Sequence, residues 1–277
     1  KEAQKVSDAL HTAEAEDPSI QVEHIVALNE VVLRGLGELH LATILQQIKD
    51  RHDLEVATQQ PSIAYRETIT AKAEGHQRPK KQTGGAGQFG EVYLRVEPLP
   101  QGEGFQFGSE VVGGAIPSGF IPAVENGVKQ AMAEGAVNGY PMQDVRVVVT
   151  DGKHHSVDSK EIAFVQAGKK AFLDAVAKAR PIVMEPIVNA EFTIPSDSVG
   201  GVTGDLSGMR GMITGTDALP DGRAVVAGQV PLQELQGYHS RLKSLTGGEG
   251  SFTMEFSHYA EVPAVQLKEL KAANEPG

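Results

Sequence analysis

Gly211-Met212-Ile213-Thr214-Gly215-Thr216 and Arg223-Ala224-Val225-Val226-Ala227-Gly228-Gln229-Val230, joined through Leu219-Pro220-Asp221-Gly222, decide the fold class. Both runs read as strands. The Pro-Asp-Gly between them is a turn with a mechanism, since Pro presets φ, Asp bonds back to nearby backbone and Gly accepts positive φ. Working outward, Glu191 to Ile194 is an upstream strand and Ser198 to Met209 a glycine-rich helix. Leu232 to Leu245 is a second helix and Ser251 to Tyr259 a last strand. The order βαββαβ predicts a ferredoxin-like sandwich. Lys268 to Gly277 is polar, and its end is predicted to fray.

The N-terminal stretch gives a similar reading. Val6, Ala9, Leu10 and Ala13 fall at helical spacing and stop at Asp17-Pro18. Strand-like runs follow at Ile20 to Ile25 and Val31 to Leu36, then a turn at Gly37. A second helix covers Glu38 to about Arg51, with Leu39, Ala42, Leu45, Gln46 and Ile48 as its predicted buried side, and Leu54 to Thr58 reads as a closing strand. Between these blocks, strands are predicted at Glu91 to Val96, Phe105 to Val112 and Val145 to Thr150, and helices at Ile121 to Ala133 and Ile162 to Ala179. Gly75 to Lys81 and Pro181 to Ala190 read as interdomain connections. The predicted fold is α+β, with three small α/β domains over residues 1–75, 76–190 and 191–277. The first and third are ferredoxin-like and flank a mixed α/β middle domain.

Composition narrows the function. The 277 residues exceed one ordinary core, and 40% hydrophobic with 22% charged is the balance of a globular chain. No run approaches the roughly 20 apolar residues that span a bilayer, so a cytoplasmic protein without membrane contact is expected. The absence of cysteine excludes disulfides and thiolate chemistry. A net charge of −11 argues against general coating of nucleic acid, so any RNA contact must be local.

Gly85-Ala86-Gly87-Gln88-Phe89-Gly90 matches Gly-x-Gly-x-x-Gly. A dinucleotide fingerprint follows a strand and opens a helix, whereas Glu91 to Val96 alternates like a strand, so the run reads as a turn-forming loop. No Gly-x-x-x-x-Gly-Lys-Ser/Thr phosphate cradle occurs in the sequence. Arg78 to Gly90 carries three cations, Arg78, Lys80 and Lys81, and no acid. That pattern suits phosphate attraction and equally a solvated surface loop. In Lys153-His154-His155-Ser156-Val157-Asp158-Ser159, adjacent histidines point apart, which argues against a metal site. Asp158 or Ser159 is the predicted cap of the next helix, with Glu161 completing a capping box. Glu38 and His40 diverge on a helix, and no catalytic constellation is seen.

Motifs in all three blocks resemble elongation factor G. Gly35-Leu36-Gly37-Glu38-Leu39-His40-Leu41 and Ala64-Tyr65-Arg66-Glu67-Thr68-Ile69 are similar to that family's domain III. Gln82-Thr83-Gly84-Gly85-Ala86-Gly87-Gln88-Phe89-Gly90, Gly139-Tyr140-Pro141 and His155-Ser156-Val157-Asp158-Ser159 resemble domain IV. Gly204-Asp205-Leu206, Val230-Pro231-Leu232 and Phe252-Thr253-Met254-Glu255-Phe256 resemble domain V. The resemblance implies the ribosome-binding part of a GTPase that moves transfer and messenger RNA, with no catalytic site and no cofactor in this chain. GTP and Mg would sit in an N-terminal domain of the parent. It implies a monomer whose partners are ribosomal RNA at the decoding centre and stalk base, tRNA and mRNA. It also implies a ribosomal-protein-like middle domain whose tip comprises Thr83, Gly84, Gly85, Ala86, Gly87 and Gln88 with Lys153, His154, His155, Ser156, Val157, Asp158 and Ser159. A tail after about residue 260 is implied to pack on that domain. Ala86, Ser156 and Ser207-Gly208-Met209 depart from the usual family residues and resemble a paralogous subgroup. A factor for recycling or rescue, or a stand-alone RNA-binding module, are the alternatives.

Overall fold

The computed structural model describes residues 2–25, 30–77, 89–156 and 159–274. In chain order its first elements are α1 (Glu2–Glu16), β1 (Gln21–Ile25), β2 (Glu30–Arg34), α2 (Glu38–His52), β3 (Arg66–Ile69), β4 (Ala73–Gln77), β5 (Glu91–Pro98) and β6 (Phe105–Ser109). There follow α3 (Ile121–Glu134), β7 (Val145–Lys153), α4 (Glu161–Lys178), β8 (Pro181–Pro195), α5 (Val199–Gly208) and β9 (Met212–Ala218). The last are β10 (Arg223–Pro231), α6 (Tyr238–Leu245), β11 (Ser251–Glu261) and α7 (Ala264–Asn274). The architecture is α+β. Two compact units are present, one of Lys1–Ala64 with Ile187–Ser257, the other of Tyr65–Pro186 with His258–Gly277.

Within the first unit, β1 and β2 pair antiparallel from Gln21 opposite Arg34 to Ile25 opposite Glu30. Ala9 and Leu10 of α1, Ile20, and Ile44 and Ile48 of α2 form one small core. Of the predicted buried side of α2, Ile48 is buried and Leu45 half-buried, whereas Leu39, Ala42 and Gln46 are exposed. Ile44 and Ile48 face inward, while Leu39 is 82% exposed and lines an open groove with Leu36, His40, Thr43 and His239. The closing strand expected at Leu54 to Thr58 is irregular chain. Leu54 and Val56 pack on the small core without joining a ladder, so their alternation reports burial and not pairing.

The same unit contains the predicted βαββαβ order, with strands arranged β11-β8-β10-β9. β10 pairs antiparallel with β8 from Arg223 opposite Pro195 to Pro231 opposite Ile187. The predicted turn closes with Leu219 N–H on Arg223 O at 2.8 Å and Gly222 at φ 83°. Phe192, Ile194, Val202, Leu206, Val226 and Leu242 fill this core. The helix expected over Leu232 to Leu245 is interrupted. A 3₁₀ turn at Leu232–Leu235 ends before Gly237, whose φ of 72° suits glycine, and α6 then begins.

In the second unit the sheet order is β4-β5-β7-β6, with β6 parallel to β7 through the α3 crossover. Residues 66–77, which the sequence reading gave to a first domain and a linker, are β3 and β4 of this unit. Their ladders explain it, because β3 pairs with Pro181–Met184 and β4 with β5. Pro181 to Ala190 is likewise not a loop but part of β8. Pro186 sits between the residues paired with β3 and those paired with β10, where its missing N–H breaks neither of those ladders. Helices α3 and α4 cross tightly, since a Cβ on Gly127 would strike Val165 O and one on Gly168 would strike Val124.

A buried acid organises this unit. Glu67 in β3 is 0% exposed, and its carboxylate accepts four backbone N–H bonds from the turn after α3. Ala136 and Val137 donate to Oε2 at 2.9 and 3.0 Å, and Asn138 and Tyr140 to Oε1 at 2.6 and 3.2 Å. Its own N–H and C=O bond Pro141 O and Gln143 N, each at 3.0 Å. Removing such an acceptor strands buried donors, so Glu67→Ala is expected to cost about 3–5 kcal/mol in denaturant unfolding. A loss below about 0.5 kcal/mol, as at ordinary surface sites, would contradict this role.

Asp17 performs a smaller version of this role in the first unit. Its Oδ1 accepts the Ser19 hydroxyl at 2.5 Å and the Ser19 N–H at 2.9 Å, and its Oδ2 accepts from His40 Nε2 at 2.9 Å. Leu36 N–H donates to His40 Nδ1 at 3.2 Å, which fixes the proton on Nε2. The Ser19 hydroxyl, then the Ser19 N–H, then His40 hold the Asp17 carboxyl down at about 2 from its ordinary 3.8. A depressed folded value means the stabilisation is complete above 3.8 and is lost as pH falls through about 2. The gap in melting temperature between wild type and Asp17→Asn is expected to shrink across that window. A gap independent of pH there would refute the assignment.

Candidate functional site

Of the two predicted tip segments only Lys153 to Ser156 and Ser159 are described, and they meet Phe89, the residue that follows the other segment, at one end of the β4-β5-β7-β6 sheet. β5 begins at Glu91 opposite Lys153, the last residue of β7, and Gln77, the last of β4, lies opposite Val92. The chain leaving β7 then turns back. Ser159 N–H bonds His155 O at 3.1 Å, and the Ser159 hydroxyl accepts from His155 N–H at 2.8 Å. The same hydroxyl donates to Phe89 O at 2.9 Å, and the Phe89 and His155 rings lie edge to face at 6.5 Å. His154 Nδ1 is 3.1 Å from Ala115 O. Ser159 therefore ties the chain after β7 to Phe89; of the two predicted caps, Asp158 or Ser159, Ser159 does not cap α4 and Asp158 lies outside the described residues. Lys160 is the N-cap, in extended conformation and without a side-chain cap bond. Thr83, Gly84, Gly85, Ala86, Gly87, Gln88, Arg78, Lys80, Lys81, Val157 and Asp158 lie outside the described residues.

Glycine at 90 has a local cause. A Cβ there would press within 3.2–3.3 Å of Ala163 and Phe164 at the start of α4. The last glycine of the Gly-x-Gly-x-x-Gly run thus serves helix packing, and the strand β5 follows it where a dinucleotide fold requires a helix.

Beneath the segments lies a polar cluster that the sequence reading missed. The Glu91 side chain is 3% exposed and its Oε1 lies 2.8 Å from His76 Nε2. Tyr93 OH donates to the same oxygen at 3.1 Å, and the His76 and Tyr93 rings stack at 3.9 Å. His76 N–H donates to Asp174 Oδ2 on α4 at 3.1 Å. Burial pushes the Glu91 carboxyl up, but the His76 and Tyr93 bonds and the Lys153 charge together hold it below its ordinary value. An acid after a glycine loop carries no sequence signal for burial. Only strand pairing brings His76 and Glu91 together. Among the described residues, no group of three or more His, Cys, Asp or Glu could hold a metal ion, and no helix is long and apolar enough to cross a membrane.

This arrangement is a pair of backbone segments braced by one hydroxyl on a rigid sheet. It can present polar backbone and histidine side chains to a ligand. Ser159→Ala is expected to lower stability by about 1 kcal/mol through two lost hydrogen bonds and to raise amide exchange at His155. Unchanged exchange at His155 would show that Ser159 does not brace the segments.

Three family models match the chain in succession. Elongation factor G domain III matches residues 1–60, domain IV residues 61–180, and the elongation factor G C-terminus residues 182–270. Elongation factor G of Aquifex pyrophilus is 45% identical over 264 residues, covering 95% of this chain and 38% of that protein. An elongation factor G-like protein of Thermotoga maritima is 41% identical over 259 residues, covering 94% of this chain and 38% of that protein. A crystal structure of a Thermus thermophilus protein superposes with a TM-score of 0.83 at 39% identity, covering 99% of this chain and 41% of that one. The chain thus spans about two fifths of the length of these relatives. With successive segments matching three parts of one family in order, and with the fold shared, the chain belongs to the elongation factor G family.

Proposed function

We propose that this chain is the ribosome-engaging portion of a GTPase that promotes movement of tRNA and mRNA. Its segments act in turn as a relay from the GTPase domain (about residues 1–75), a decoding-centre probe (about 76–190) and a stalk-base contact (about 191–277), in a cytoplasmic monomer. GTP and Mg belong to an N-terminal domain of the parent. The observation that supports this reading is the end of the β4-β5-β7-β6 sheet, where Ser159 links His155 to Phe89, the residue that follows Thr83 to Gln88 in sequence. A brace of this kind lets a protein push backbone and histidines against RNA without a catalytic group, and glycine-rich cationic loops suit phosphate contact.

A second reading, a paralogous factor in recycling or rescue, draws on Ala86 and Ser156 and on the 41% identity to an elongation factor G-like protein. The two readings separate on one reaction. In the full-length parent, His155→Ala is expected to slow single-turnover movement of tRNA and mRNA while leaving ribosome-stimulated GTP hydrolysis intact. Its effect on stability should stay within about 0.5 kcal/mol, because His155 is exposed. This chain alone is expected to bind no GTP by calorimetry. Unchanged movement, on ribosomes that wild type translocates efficiently, would refute the tip assignment. A wild-type parent that hydrolyses GTP on ribosomes but moves no tRNA would favour the paralogue.

A further inference from the structure

Two Asn-Gly pairs occur in the chain, Asn126-Gly127 and Asn138-Gly139. In such a pair the glycine, having no Cβ, leaves its backbone nitrogen free to approach the asparagine side chain. The glycine nitrogen gives its proton to water, bonds to the asparagine Cγ and expels the side-chain nitrogen as ammonia, leaving a five-membered succinimide. Water then opens that ring to aspartate or to isoaspartate, in which the main chain runs through the side-chain carbon.

The structure separates the two pairs. Asn126 and Gly127 lie in the middle of α3, where the glycine nitrogen belongs to the helical ladder and Gly127 is pressed against the α4 backbone at Val165. Reaction there requires the helix to open first. Asn138 and Gly139 lie in the turn between α3 and β7, outside any helix or strand. Gly139 is exposed at φ 81°, with no atom within 4 Å of where a Cβ would sit. The four N–H groups that hold this turn to Glu67 come from Ala136, Val137, Asn138 and Tyr140, and skip Gly139. Among the described residues, neither the Gly139 N–H nor the Asn138 carboxamide makes a hydrogen bond. The clamp fixes the turn but leaves both reacting groups unengaged.

We infer that Asn138 is a site of spontaneous deamidation to aspartate and isoaspartate, and that Asn126 is protected. The Glu67 carboxylate opposes loss of a proton from the adjacent Gly139 nitrogen, so the reaction runs slower than in a free peptide of the same sequence. Its consequence falls on the clamp. An isoaspartyl link adds a methylene between residues 138 and 139, so the N–H groups of 138 and 140 no longer reach Glu67 Oε1 together.

The test is peptide mapping by mass spectrometry after incubating the folded chain in mildly alkaline buffer, with isoaspartyl methyltransferase labelling as a second readout. The urea-unfolded chain is the control, because there both pairs share one solvent environment. The Asn138 rate divided by the Asn126 rate is expected to be at least about tenfold larger in the folded chain than in urea, since only Asn126 must wait for local opening. A smaller increase in that ratio overturns the inference.

Discussion

The second unit depends on one constraint, the need to surround the buried Glu67 carboxylate with donors. Leaving a carboxylate without hydrogen bonds in an apolar interior is prohibitive, so the chain must deliver N–H groups to it. The turn from Ala136 to Tyr140 does so with four bonds, and the pairing of Glu67 with Pro141 and Gln143 places the next residues beside β3. That turn is the end of the α3 crossover, and it sets where β7 starts. β7 in turn carries Lys153 to the edge of the site, opposite Glu91. A carboxylate far from the candidate site in sequence thereby fixes the position of one of its two segments.

The other segment is fixed from β5. Glu91 is held by His76 and Tyr93 at the stem, Gly90 lets the chain pass close to α4, and Phe89 O receives the Ser159 hydroxyl. The lengthy sheet and two tightly packed helices act as a stiff handle, and the chemistry presented at its end is polar backbone with histidines. Under the proposed function, this end would meet a phosphate-rich surface through shape and backbone contact. The net charge of −11 is compatible, because the cations of this region are local.

Local signals made most of the fold legible. Pro220-Asp221-Gly222 announced its hairpin, and the βαββαβ order emerged from period alone because each element has one buried face. Long-range pairing was not legible. β3 was read as chain outside the middle domain because its partner, Pro181–Met184, lies more than a hundred residues away and begins with proline. Leu54 and Val56 looked like a strand because packing onto a core and pairing in a sheet produce the same alternation. At the site, the motif residues His155 and Ser159 were visible, but Ser159, one of the two predicted caps with Asp158, serves as a brace instead. A serine before a helix fits both roles, and only the position of Phe89 O decides between them. Glu67, Glu91 and His76 were invisible as a group, since burial of an acid depends on donors that the fold brings from elsewhere.

The central claim, that the braced end of the second unit faces the decoding centre, has a direct test. The chain has no cysteine, so Ser156→Cys gives it one defined attachment point. An iron chelate tethered there, in a full-length parent with no other cysteine, generates hydroxyl radicals that cut nearby RNA on the ribosome. The account predicts cleavage of small-subunit ribosomal RNA around the decoding centre. Cleavage confined to other regions, from a bound and GTP-hydrolysing protein, would contradict it.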